Sequence, residues 1–117
     1  MPKSRGKRPP TRSKSPSHDL KAVKKAIAAG PEFGSFVTCK ALDEAAELGF
    51  DQDTIYLCIL ELREDEFHES VASNFLPGDW LDVYRHRFRG KELYIKFKMS
   101  VPGGPVVISF HDWEGET

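Results

Sequence analysis

The residues best suited to chemistry lie in the last third of the sequence. In "KELYIKFKM", Tyr94, Lys96 and Lys98 alternate with Leu93, Ile95, Phe97 and Met99, so a strand here carries a phenol and two amines on one face and apolar groups on the other. In "PVVISFHDW", the same alternation puts His111 on the face opposite Val106, Ile108 and Phe110. If these two strands pair, Tyr94 and His111 come within reach of a single substrate atom, because opposed side chains sit about 5 Å apart at Cβ. A general base, a cation beside a phosphoryl oxygen and a general acid are sufficient to cleave RNA through its own 2′-hydroxyl. Tyr94, His111 and Lys96 are the candidate catalytic residues. Arg85, Arg87, Tyr84, His86, Lys98 and His68 are the candidate RNA contacts. The competing reading of these cations is a solvated sheet face that protects an edge. Trp80 and Trp113 read as core or rim anchors rather than base-stacking platforms.

No metal or cofactor is expected. The sequence has no CxxC and no HExxH, and His18, His68, His86 and His111 lack ligand spacing. Phosphate-binding loops, dinucleotide fingerprints and nucleophile elbows are absent as well.

The charge distribution supports an anionic ligand. Net charge is −1, yet residues 1–17 hold six Lys/Arg and no acid, which leaves 11 Lys/Arg against 18 Asp/Glu, a balance of −7, in the rest. Within that acidic body, residues 83–100 carry six Lys/Arg and one Glu. A field divided in this way steers an anion to one face.

The elements that must position these groups are short. "HDLKAVKKAIAAG", "TCKALDEAAELG" and "DQDTIYLCILELRED" read as three helices capped by Asp19, Thr38 and either Asp51 or Asp53, with Gly30 and Gly49 as stops. From Phe67 the period changes to two. "FHESVAS", "WLDVYRHRF", "KELYIKFKM" and "PVVISFHDW" read as strands of an antiparallel meander, joined in part by the turn sequences "FRGK" and "SVPGGP". The expected fold is α+β, three short helices packed on an antiparallel sheet. Residues 1–17, with four prolines, read as a disordered basic tail, either an arm that adds phosphate attraction or a solubilising segment with no specific role, and 18–117 as the folded domain. Cys39 and Cys58 fall in predicted helices and read as small buried thiols in a reducing compartment, hence a cytoplasmic protein with no membrane span and no secretory signal.

Five segments in order resemble the MqsR (motility quorum-sensing regulator) family of bacterial toxins: "DLKAVKKAI", "ALDEAAELGF", "ILELREDEFHES", "WLDVYRHRFRGKELYIKF" and "VVISF". The resemblance implies a RelE-like fold, an mRNA-cleaving toxin of a type II toxin–antitoxin system, and a cognate antitoxin as partner. It implies an active site on the sheet, with Tyr94 as the family's tyrosine. At three further site positions the sequence departs from the usual pattern: Glu69 stands for a lysine, Leu81 for a glutamine and His111 for a lysine. Two accounts follow. One is an endoribonuclease rewired around Tyr94, His111 and Lys96. The other is a module of the same fold that has lost cleavage and binds RNA or a protein through its basic hairpin.

Overall fold

The computed structural model describes residues 11–30, 36–73, 78–100 and 104–113. Helices α1 (Leu20–Ala29), α2 (Cys39–Glu47) and α3 (Gln52–Glu61) precede most of a six-stranded sheet. The strands are β1 (Arg12–Ser13), β2 (Phe36–Val37), β3 (Phe67–Ala72), β4 (Trp80–Phe88), β5 (Lys91–Ser100) and β6 (Gly104–Asp112), in spatial order β1-β3-β4-β5-β6-β2. All neighbours are antiparallel except β2, which runs parallel to β6. The expected α+β architecture is therefore present.

Each helix starts where a side chain accepts an otherwise unpaired amide. Asp19 takes Lys21 N–H at 3.0 Å, Thr38 takes Ala41 N–H at 3.1 Å and Asp51, rather than Asp53, takes Thr54 N–H at 2.9 Å. Gly30 and Gly49 follow helices α1 and α2 with φ of 110° and 85°. The helices cover one face of the sheet. Val23, Ile27, Ile55 and Ile59 pack there against Leu93, Ile95, Phe97 and Phe110. Cys58 is buried in this core, but Cys39 is exposed at the first turn of α2, so it is not the buried thiol expected.

Two local features set the sheet's geometry. Arg89 and Gly90, both at positive φ (52° and 82°), form a two-residue turn between Phe88 and Lys91. Such a turn matches the twist of the strands it joins. Between β5 and β6 the register slips: Lys96 opposes Ser109 but Phe97 opposes Val107, leaving Ile108 as the extra residue of a bulge. Val107 and Phe110, three apart, thus both enter the core, and Val106 and Ile108 do not point inward as simple alternation requires. Glu44 of α2 holds this stretch by accepting Phe110 N–H at 2.9 Å.

Residues 11–17 depart from the disordered-tail reading. Arg12 and Ser13 pair with Val71 and Ser70 at the sheet edge. The amides of Ser17 and His18 donate to the fully buried Asp82 carboxylate at 2.9–3.1 Å. His18 is held further by the Trp80 carbonyl at 2.7 Å. Composition missed this because the segment is anchored by backbone pairing and one distant carboxylate, not by apolar side chains. The rest of the expected tail, residues 1–10, lies outside the described residues, as do residues 101–103 of the expected turn "SVPGGP".

Candidate active site

The face of the sheet turned away from the helices is crossed by rungs of opposed residues. One runs Arg85–Tyr94–His111 across β4, β5 and β6. The next runs Glu69–Val83–Lys96–Ser109 from β3 to β6. Val71 and Leu81 oppose each other on β3 and β4, with Arg12 of β1 in register with Val71. Leu81 and Val83 are buried, and Leu81 with Ile108 gives the face an apolar floor.

Over this face lies a groove of about 900 Å³. Arg12, Lys40, Lys96 and Lys98 contribute four cations to its lining, against the two carboxylates of Glu69 and Asp79. Both carboxylates are already engaged: Glu69 by Arg12 Nη1 at 2.5 Å, Asp79 by Lys98 Nζ at 2.6 Å. Lys40 Nζ is shared between Glu44 and Ser109, at 2.9 Å from each. The groove therefore keeps a positive balance at a surface with an apolar base, the arrangement that favours a phosphodiester.

The Tyr94 ring, 9% exposed, stacks on the His111 imidazole with centroids 4.7 Å apart and planes 12° from parallel. His111 Nδ1 lies 2.9 Å from the Asp112 carbonyl. A carbonyl only accepts, so Nδ1 carries a proton, and Nε2 is the proton-accepting nitrogen of the neutral ring. Lys96 Nζ is 6.0 Å from the Tyr94 ring centre. Trp113 completes the group: the Arg85 guanidinium lies over its ring at 4.6 Å, His68 meets it edge-on at 4.8 Å, and Tyr94 lies at 5.6 Å.

The sequence-predicted residues thus divide. Tyr94, His111, Lys96, Lys98, His68 and Arg85 converge on or beside the groove. Arg87 shares that side of β4 but lies further along, in a shallower depression with Arg85 and Glu92, 3.9 Å from the latter. Tyr84 and His86 are on the other face. Tyr84 is 1% exposed, stacked on Phe97 at 5.4 Å, and burial, aided by Asp82, pushes its hydroxyl up to about 12. His86 is 7% exposed, with Nδ1 2.9 Å from Glu66 and Nε2 3.2 Å from Glu61. Neither meets a ligand in the groove. The cause is register: the two-residue turn at Arg89–Gly90 sets Tyr84 opposite Ile95 and His86 opposite Leu93, both core residues.

The same register turns the β4 arginines toward the groove side. Arg85 shares a face with Leu81 and Val83, and that face is the groove side. The sequence reading missed Arg12, assigned to the tail, and Lys40, on a helix. It also took Trp113 for a core or rim residue, and no spacing pattern linked it to Arg85 or His68. Counting outward from the "FRGK" turn would have placed Arg85 beside Tyr94. The three positions that depart from the toxin pattern, Glu69, Leu81 and His111, all fall around Tyr94's groove.

Residues 15–112 match the family model described as "Motility quorum-sensing regulator, toxin of MqsA". The chain is similar to the mRNA interferase toxin MqsR of Escherichia coli (strain K12), with 32% identity over 99 residues that cover 85% of this chain and 96% of that protein. The match takes in all three helices, strands β2 to β6 and the Tyr94–His111 pair, while Arg12 and Ser13 of the edge strand and Trp113 of the groove lie outside it. The chain belongs to the motility quorum-sensing regulator (MqsR) toxin family.

Proposed function

We propose that this protein is an endoribonuclease that cleaves mRNA without a metal ion, acting in the cytoplasm as the toxin of a type II toxin–antitoxin pair and restrained by a cognate antitoxin. Family membership supports the toxin role, and similarity to the E. coli mRNA interferase toxin supports mRNA as substrate. The observation that carries the reading to this chain is the stacked Tyr94–His111 pair at a cation-lined groove.

The chemistry follows from the side chains. His111 Nε2 accepts the proton of a 2′-hydroxyl, and the freed oxygen attacks the adjacent phosphorus. Lys96 and Arg85 neutralise the charge that grows on the phosphoryl oxygens. The Tyr94 hydroxyl donates a proton to the departing 5′-oxygen, leaving a 2′,3′-cyclic phosphate and a 5′-hydroxyl. Trp113 and His68 supply ring surfaces on which a base flanking the scissile bond can stack. A protonated His111 is further stabilised over the Tyr94 ring by cation–π attraction.

Induction of the protein alone in a bacterial host tests this reading. Growth arrest with fragmented transcripts is expected. Unaltered growth and intact mRNA at high soluble expression would contradict it and favour the non-cleaving binding module.

A further inference from the structure

Arg12 is a cation placed in the groove by a segment that carries no part of the core. Strand β1 is two residues long and pairs with the edge of β3. The Asp82 carboxylate fixes the chain a few residues later. Between these anchors, Arg12 reaches Glu69 with one guanidinium nitrogen, Nη1. Its side chain remains 70% exposed, whereas Glu69 is 14% exposed. Five N–H donors in a planar fork allow a guanidinium to hold a carboxylate and still present donors to a phosphate. Glu69 stands on the rung that carries Lys96, so the Arg12 fork is held beside the same rung.

We propose that Arg12 is a phosphate-binding residue of the groove, and that Glu69 is its positioning residue, orienting the guanidinium toward the RNA backbone. This rests on the endoribonuclease reading and deepens it. The edge strand then forms one wall of the substrate channel, and the phosphate it grips neighbours the one at Tyr94. Glu69, an anion in an RNA-binding groove, is compatible with binding because Arg12 covers it.

The test compares wild type, Arg12→Ala, Arg12→Lys and the double variant Arg12→Ala/Glu69→Gln on a short oligoribonucleotide. Affinity is measured on its non-cleavable 2′-deoxy form, and thermal melting checks folding. Arg12→Ala is expected to raise KM and weaken binding about tenfold, with kcat little changed. The slope of log affinity against log salt should fall by about 0.7, the value for one phosphate contact on a single strand. Arg12→Lys, a point charge without the fork, should recover part of the loss. The double variant should stay weak, because removing the anion does not restore the lost donor. Recovery of the double variant to wild-type affinity would show that Arg12 only cancels Glu69, and would overturn the proposal. Unchanged binding by Arg12→Ala would overturn it as well. If wild type itself cleaves no RNA, the endoribonuclease reading fails instead, and the affinity comparison still decides whether Arg12 binds phosphate.

Discussion

Arg85 and Tyr94 oppose each other directly across β4 and β5, and His111 lies beyond Tyr94 in the same rung. A basic side chain, a phenol and an imidazole are thereby lined up by backbone hydrogen bonding alone. Each is positioned by a strand packed on the helical layer, so the spacing does not depend on a mobile loop. The Trp113 indole bridges one end of the rung and its middle by meeting both Arg85 and Tyr94.

The buried face predicts an alkaline limit to stability. The Tyr84 hydroxyl ionises near 10 in an unfolded chain but is held up to about 12 by burial in the fold, and burial raises the Cys58 thiol strongly. The folded state thus binds protons that the unfolded state releases, and stability falls as pH rises. For Tyr84 the contribution is complete below about pH 10 and is lost as pH climbs to about 12. Melting temperatures measured across this window should fall for wild type and fall less for Tyr84→Phe. An identical alkaline decline in both would show that Tyr84 is not the titrating group.

His86 separates a structural from a functional role. Its ring joins β4 to Glu61 at the end of α3 and to Glu66, which also accepts the Arg63 amide at 2.8 Å. His86→Ala should cost about 2 kcal/mol, since it removes the buried ring and takes a hydrogen-bond partner from the part-buried Glu66, while Glu61 is exposed enough to be solvated. RNA affinity of the folded fraction should not change. Denaturant titration and binding of the 2′-deoxy oligonucleotide read the two effects separately; a loss of affinity without a loss of stability would return His86 to the binding surface.

Asp82 tethers the N-terminal segment. Its carboxylate is fully buried and accepts two backbone amides, from Ser17 and His18. Asp82→Ala should destabilise the protein by about 3 kcal/mol, because hydrogen bonds to a charged group are lost and amides are left unsatisfied. Hydrogen exchange should rise first at residues 11–18, before the core strands. Unchanged protection there would mean that β1 pairing alone holds the segment.

The helices, the strands and the Tyr94 face were legible because their signals are local: caps, glycine stops and a clean two-residue period in β5. Three features were not, for physical reasons. β4 carries apolar residues on both faces, Leu81 and Val83 on one, Tyr84 and Phe88 on the other, so alternation alone cannot say which side is covered. The β6 bulge is accompanied by a tertiary contact, the Phe110 amide on Glu44, and no local pattern marks it. The edge strand β1 has no apolar side chain; the segment is held by its pairing with β3 and by Asp82, which binds the Ser17 and His18 amides from 65 and 64 positions away. The site was visible in residue type, but Arg12, Lys40 and Trp113 reach it only through the fold.

The central claim, that Tyr94 and His111 cleave RNA, is tested most directly by single-turnover kinetics on a short oligoribonucleotide in excess chelator. The wild type should cut and leave a 2′,3′-cyclic phosphate, and a 2′-deoxy substitution at the scissile nucleotide should abolish the reaction. Tyr94→Phe and His111→Ala should each slow cleavage by about 10²–10⁴-fold, with melting temperatures close to wild type. Full activity in both variants, or cleavage that requires an added divalent metal, would contradict the account.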